Sequence, residues 1–506
     1  MLNIRKAFNK KTVKFIRPVS TATIQNTDVF KNNSTYDLIK KSIIYKASKS
    51  DFLLSKGDRL VNTSYKIFGN RITDALIENT AGQVFTSGPT IQTLIQDAEK
   101  LYTEYGLLSA GNYVLEGIEE DNAIIFDGAK DYLVETLDKY SKGRPYCHLA
   151  IKLTGLGHMQ MFRDYDKAQK MLLEDLFDKY SSESTLGEWR VISRDDIKNF
   201  LNDKKIEYTE AELDEFFSIA KFEDSEYPSH QIGEVEFFQN VHTLYVFSDK
   251  HNTNLIQKIN KMTLSDEMIK SIQTMQNRVL EIVEKAYIQG TQLYVDAEQT
   301  YIQSALDSFT RQLQTKYHKD NKGFILNGFQ SYLKSSPRRV RLEIERCRAA
   351  DISMGIKLVR GAYMLEERQL AQENQYESPI WDTIKDTHQS YDRNIATVLD
   401  SFNPERDSVL VASHNKDSCE KAKGIMEQKG LPVNNVVFGQ LKGFSDTLTL
   451  SLAQEGFSVL KYLPYGPMEH LIPYLIRRGN ESKQVMREHL FVDEIKQEIR
   501  ARFKPG

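Results

Sequence analysis

Apolar residues along this chain follow two rhythms. Between residues 31 and 105 they recur at helical spacing, as in "DALIENTAGQVF" and in "TIQTLIQDAEKLYTEYG", which has Pro89 just before it. A helical arm over 28–105 is predicted. From residue 106 onward short apolar segments take over: "GLLSAGNYVLEG" (106–117), "HLAIKLTGL" (148–156), "QLYVDAE" (292–298), "GFILNGFQSYL" (323–333), "GIKLVRGAY" (355–363), "SVLVASHN" (408–415), "NVVFGQLKG" (435–443) and "SVLKYLPYG" (458–466). Several are continuous β-branched runs, as strands buried on both faces require. From the third onward, amphipathic stretches such as "PRRVRLEIERCRAAD" and "KDSCEKAKGIMEQKG" separate them. Strand–helix alternation argues for an α/β sheet, and eight units argue for a (β/α)8 barrel over 106–482. A doubly wound sheet is the alternative, weakened because no Gly-x-Gly-x-x-Gly follows any strand segment. Residues 483–506 read as a C-terminal helix or tail.

One connection is too long for a barrel helix. More than a hundred residues separate the second and third segments, so an inserted helical unit is expected over 181–260. Its "ISRDDIKNFLNDKKIEYTEAELDEFFSIAKF" and "GEVEFFQNVH" have the rhythm of a helix–loop–helix pair. Gly233 and Val235 fall where the glycine and strand residue of a calcium loop would stand. That register puts Pro228, His230, Ile232 and Gln239 at ligand positions where carboxylates are needed. The unit is therefore predicted to be EF-hand-like, degenerate, and without calcium.

Composition narrows the classes. The formal charge of −3 over 506 residues gives no electrostatic case for nucleic acid. Cys147, Cys347 and Cys419 lie far apart, with no C-x-x-C pair, which suits a reducing compartment. No run of about 18 apolar residues offers a membrane span. The first 27 residues hold six Lys or Arg and no acid, matching a mitochondrial targeting segment.

Polar residues in buried strands are costly unless paired or used. Lys152, Asp296, Gln330, Lys357, Arg360, His414 with Asn415, Gln440 and Tyr462 all lie in or just after strand segments. Barrel chemistry collects at the C-terminal ends of strands, so one mouth accounts for the set. The set is rich in cations and amides and poor in nucleophiles. It has no nucleophile-elbow order, no His-Glu-x-x-His and no phosphate loop, and its one His and one carboxylate are too few for a metal. Lys152 or Lys357, depressed in pKa by burial, could form a Schiff base, which would make an aldolase. A helical adaptor built on the insert with an inert barrel is the non-enzymatic alternative. In "YLPYGPMEHLIPYLIRRGNES" (462–482), Met468, Leu471, Ile472 and Leu475 form an apolar helical stripe. Tyr474, Arg477, Arg478 and Glu481 are expected on the other side, where two guanidinium forks suit a carboxylate or phosphate. Pro473 would kink this helix unless it lay in the first turn.

Together "VDAE", "KLVRGAY", "ASHN" and this last stretch closely resemble the proline dehydrogenase family, in its eukaryotic mitochondrial branch. The resemblance implies a distorted TIM-type barrel with non-covalent FAD, the last helix lying over its mouth. L-proline would become 1-pyrroline-5-carboxylate, with hydride passing to flavin N5 and electrons to ubiquinone. It further implies the mitochondrial matrix, with peripheral contact to the inner membrane. Lys152, Arg477 and Arg478 would hold the proline carboxylate, with Asp296 in the same cluster, and Tyr363, Leu441 and Tyr462 would wall the ring. Asp296, Lys357 and Tyr462 would be the catalytic set, Lys357 near the N5 edge. Ala297, Gln330, Val359, Arg360, Gly361, Ala362, Ser413, His414, Gln440 and Glu481 would line FAD, Glu481 also anchoring the arginine helix. Three positions depart from the common pattern: Lys357 replaces an Arg frequent in bacterial relatives, Asn112 an Asp, and Ser482 an Asn. Tyr462 stands where the hydroxyproline-preferring branch has a smaller hydroxyl residue, so proline should be preferred.

Overall fold

The structure, a computed structural model, describes residues 34–48, 56–184, 189–247, 253–319, 321–481 and 492–503. The expected targeting segment and Ser482 fall outside these residues, as do the side chains of Arg477, Arg478 and Glu481.

All eight apolar segments form strands: β1 (Leu108–Tyr113), β2 (Cys147–Ile151), β3 (Leu293–Val295), β4 (Ile325–Gln330), β5 (Gly355–Val359), β6 (Ser408–Ala412), β7 (Val436–Leu441) and β8 (Ser458–Tyr465). They pair in parallel and close on themselves, β1 against β8. The pleat sorts their side chains by period two. Ala110, Ala150, Tyr294, Leu326, Leu410, Leu460 and Tyr462 fill the barrel interior. The alternating Ile356, Leu358, Val409, Val411, Phe438 and Val459 face the outer helices. By the same alternation Lys357, between Ile356 and Leu358, points inward. The three cysteines are buried and free.

The arm is helical. Thr90 caps the helix Ile91–Tyr105 and Gly106, in the left-handed region at φ 67°, ends it. Ahead of it lie the helices Thr35–Ser48 and Gly57–Ile77, the first packing on Val492–Arg502.

The insert has its own core, in which Phe200, Phe216, Phe237 and Ile256 are buried. Its other face covers the barrel helix Thr300–Tyr317, where Phe238 of the insert has its ring centre 3.8 Å from the buried Arg311 guanidinium. His242 meets Ser308 Oγ at 2.9 Å, and Gln312 donates to the Leu244 carbonyl at 2.9 Å.

The expected loop register is corrected. Ile232, not Val235, is the strand residue: it pairs with Ile192 in a small antiparallel sheet, while Val235 lies in the helix Glu234–Asn240. The frame moves back three residues, placing Ser225, Tyr227 and Ser229 at the first ligand positions and Glu236, not Gln239, at the last. Glu236 is buried, and its carboxylate accepts the N–H groups of Gly233 and Phe222. Gln239 instead reaches Arg346 and Thr315. The sequence shows no sheet partner for either strand, so the register could not be set locally.

Candidate functional site

Asp296 is the hub of the barrel mouth. It follows β3, and its backbone N–H donates to the Ile151 carbonyl at 3.1 Å, which seats it beside Lys152 at the end of β2. Gly328 on β4 permits the approach: a Cβ there would come within 2.7 Å of the Ala297 nitrogen. Lys357 Nζ donates to Asp296 Oδ1 at 2.5 Å, and the Tyr462 hydroxyl donates to Oδ2 at 2.5 Å. Lys152 Nζ stands 3.7 Å from Oδ2 and pairs with Glu116 on its other side. Lys357 Nζ also lies 4.7 Å from the centre of the Tyr462 ring. Tyr462 is in register with Leu441 on one neighbouring strand and Ala110 on the other.

Charge balance fixes the protonation states. Burial pushes Asp296 up, but Lys357 and Lys152 outweigh it and hold the carboxyl below its usual range. Burial opposes the Lys152 charge, yet Glu116, Tyr363 and Asp296 raise its pKa well above an ordinary lysine. The expectation of a burial-depressed Lys152 is thus corrected: its carboxylate neighbours keep it an ammonium, unsuited to a Schiff base. Burial, then Asp296, raises Tyr462 well above a free phenol. Glu298, the last residue of "VDAE", is raised by burial to about 7, while Thr154 donates its hydroxyl to the carboxylate at 2.8 Å.

A second group lies over β4 to β7. Gln330 donates to the Glu298 carbonyl at 2.7 Å and accepts the Ala362 N–H at 3.3 Å. Gly361, at φ 143°, makes this turn, and a Cβ there would strike the Tyr332 ring. Val359 accepts the Ser331 N–H. Arg360 donates to Ser413 Oγ at 2.5 Å, Ser418 Oγ at 2.8 Å and His388 Nδ1 at 3.1 Å, and stacks 4.3 Å from the Tyr391 centroid. Among the described residues Arg360 makes no direct ion pair, and Asp392 stands behind the Ser418 hydroxyl, which it accepts at 2.5 Å, so the guanidinium suits an anionic group. Beside it the helix Lys416–Gln428 opens at its Asn415 cap, adding a favourable dipole. His414 Nε2 accepts the Leu441 N–H at 3.1 Å, tying β6 to the Tyr462 wall. Gln440 donates to the Ser413 carbonyl and accepts from Thr449, so both ends of its amide are engaged within the protein. Among the described residues no cluster of three His, Cys, Asp or Glu could hold a metal ion.

The helix Met468–Glu481 follows β8, with Pro473 inside it rather than in its first turn. Leu471 and Tyr474 are both buried against Val114. The expectation that Tyr474 faces away from the stripe is corrected: it stands three residues after Leu471, on the same face. Tyr474 also acts electrostatically on Tyr462, so this helix reaches the mouth. Tyr363 is buried beside Lys152 at the start of the helix Met364–Glu373. Sequence reasoning missed Glu116, Thr154, His388 and Ser418 as partners. Only Glu298 carried a signal, as part of a quoted motif.

A family model described as Proline dehydrogenase matches residues 199–488. Proline dehydrogenase 1, mitochondrial, of Caenorhabditis elegans is 30% identical over 454 residues, 83% of this chain and 70% of the worm protein. The chain belongs to the proline dehydrogenase family. Hydroxyproline dehydrogenase of Bos taurus is 36% identical over 46% of this chain and 51% of its own. Human Proline dehydrogenase 1, mitochondrial, is 41% identical over 42% of this chain and 36% of its own. With these two the match thus spans about half of each relative or less. A solved proline utilization A from Bdellovibrio bacteriovorus aligns with 96% of this chain and 43% of its own at a TM-score of 0.56. At 14% identity that likeness shows the fold alone.

Proposed function

We propose that this protein is a mitochondrial flavoenzyme that oxidises L-proline to 1-pyrroline-5-carboxylate, the first step of proline catabolism to glutamate. Relatives named mitochondrial proline dehydrogenase support the substrate and the compartment. The observation that carries the reading is the Asp296 hub, which gathers two lysines and a phenol at a barrel mouth walled by Leu441 and Tyr462.

The donor set fits FAD: Arg360, which makes no direct ion pair among the described residues, and the helix N-terminus at Asn415 would suit the pyrophosphate, and Gln330, Ser413, His414 and the 360–362 turn would line the isoalloxazine. When bound, FAD supplies the two-electron acceptor for hydride. The chain's own residues supply placement. Lys152, kept cationic by Glu116 and Asp296, meets the substrate carboxylate together with Arg477 and Arg478. Charge-assisted bonds of about 1.5–3 kcal/mol each fix the ring's pose. Asp296 holds Lys357 and the Tyr462 hydroxyl in place, and Tyr462 with Leu441 and Tyr363 closes the ring's sides. Proline reacts with its amine unprotonated, because the lone pair on nitrogen drives hydride from the adjacent carbon. Tyr462 crowds a ring hydroxyl, favouring proline over hydroxyproline. Electrons leave to ubiquinone, with the protein on the matrix face of the inner membrane.

The test is the visible spectrum of the purified chain before and after anaerobic L-proline. A flavin band bleached by proline is expected. A colourless protein that FAD cannot reconstitute overturns the reading.

A further inference from the structure

Gly69 interrupts the arm helix Gly57–Ile77 with φ 76° and ψ 170°. The chain folds back there. Ser64 Oγ and Thr73 Oγ1 are 3.0 Å apart, and the Tyr65 hydroxyl donates to Asp74 at 2.8 Å. Each pair is nine residues apart, and an unbroken helix would separate its members by about 13 Å. The segment is therefore a helical hairpin with Gly69 at its tip. Its polar pairs are turned between the legs, where Thr73 is fully covered. Its large apolar residues are turned outward: Ile67, Phe68 and Ile72 are 66%, 56% and 61% exposed. This inverts the usual order, in which apolar residues glue the legs together.

The charge pattern says what would cover such a tip. Around the tip Lys66 and Arg71 are exposed, and the first acid on the second leg, Asp74, accepts the Tyr65 hydroxyl. Three apolar side chains flanked by Lys66 and Arg71 match an anionic lipid surface, where the headgroups meet the cations and the tip enters the acyl boundary. A second copy of the same tip would bring like charges together. None of the described helices is long and apolar enough to cross a membrane, so the contact is peripheral. The base of the hairpin rests on the helix that closes the barrel mouth: Ile476 lies 3.7 Å from where a Cβ on Gly57 would stand.

We propose that the hairpin around Gly69 docks this enzyme on an anionic bilayer, turning the mouth-closing helix toward the lipid phase. This rests on the membrane contact and quinone acceptor proposed above, and specifies the surface that makes it. The test uses the full chain with vesicles of phosphatidylcholine, alone or mixed with cardiolipin. Wild type should float with the mixed vesicles. The triple variant I67S/F68S/I72S should lose at least about tenfold in partition, and K66E/R71E should lose the preference for cardiolipin. Both should keep full proline turnover with a soluble dye, and lose turnover with ubiquinone embedded in the vesicles. Wild type that ignores both vesicles, or variants that float as wild type does, would overturn the proposal. So would a wild-type dimer that the triple variant dissociates, which would assign the tip to a second copy. Absent dye-coupled turnover in wild type would instead strike the functional reading, while flotation still judges the surface.

Discussion

Two buried charge clusters sit at opposite ends of the barrel and are built differently. At the C-terminal ends of the strands, Asp296 gathers Lys357, Lys152 and Tyr462, yet Lys152 and Lys357 each have three donors and only one or two partners here. At the N-terminal ends, Arg346 is fully enclosed. It donates to both oxygens of Glu343, to Gln239 of the insert at 2.9 Å and to Gln314 at 2.6 Å. Gln314 passes the linkage on to the carbonyls of Ile325 and Gly355, the first residues of β4 and β5. Arg346 is engaged by the protein on all three of its nitrogens and clamps insert to barrel, while Arg311 beside it leaves Nε and one Nη without a hydrogen bond. Among the described residues the two lysines of the upper cluster have donors unfilled, as the proposed carboxylate ligand requires. Burial is similar, and what differs is the share of hydrogen-bonding capacity that the protein itself consumes.

Breaking the clamp should give the largest effect. Arg346→Met strands Glu343 without its paired cation and should cost about 3–5 kcal/mol in urea unfolding. Adding Glu343→Leu should recover most of the loss, since the cost is that of an unpaired buried charge. The KM for proline of the folded fraction should barely move. The converse holds at the mouth. Asp296→Asn should cut kcat/KM by roughly 10²–10³-fold, the scale of losing one preorganised electrostatic partner. A melting temperature that collapses while the residual activity stays normal would show that the two clusters do the same job.

The third prediction uses pH. Glu298 is raised to about 7 from an ordinary 4.5, so the folded state keeps a proton that the unfolded chain has released. Glu298 therefore contributes a loss of stability as pH rises from 4.5 to 7, against the gain from His148 and His318, whose burial pushes them down to about 4 and about 3. Glu298→Gln should make stability rise more steeply with pH over that range than in wild type, read by denaturant midpoints. An unchanged slope would remove Glu298 as a source of that loss. The smallest effect concerns specificity. Tyr462→Ser should raise the hydroxyproline-to-proline ratio of kcat/KM by about tenfold, as expected for opening room for one hydroxyl. A fixed ratio would show that Tyr462 does not set ring choice.

The barrel was legible because buried parallel strands must be continuously apolar, and any polar residue in them then stands out. Lys357 and Asp296 were visible on that ground alone. Glu298 and Glu116 were not: a carboxylate just past a strand end looks like any loop residue until a lysine from another strand is placed beside it. The EF-hand register failed for a similar reason. Ile232 finds its strand partner, Ile192, forty residues earlier, and nothing local weights it above Val235. Tyr474 was misplaced because its phenol suggested a wet face, whereas its ring packs with Leu471 and Val114.

By itself the sequence determined the number and order of the barrel units, the inward place of Lys357 and the family, while Gln440 turned out to face the outer helices with Phe438. These follow from local periodicity and from residue types whose burial costs are fixed by chemistry. Only the tertiary structure decided which charges meet, which protonation state each adopts, and which apolar side chains stay exposed at the Gly69 turn. Those depend on distances between residues far apart in the chain, and Coulomb energies and desolvation are set by such distances, not by the order of residues.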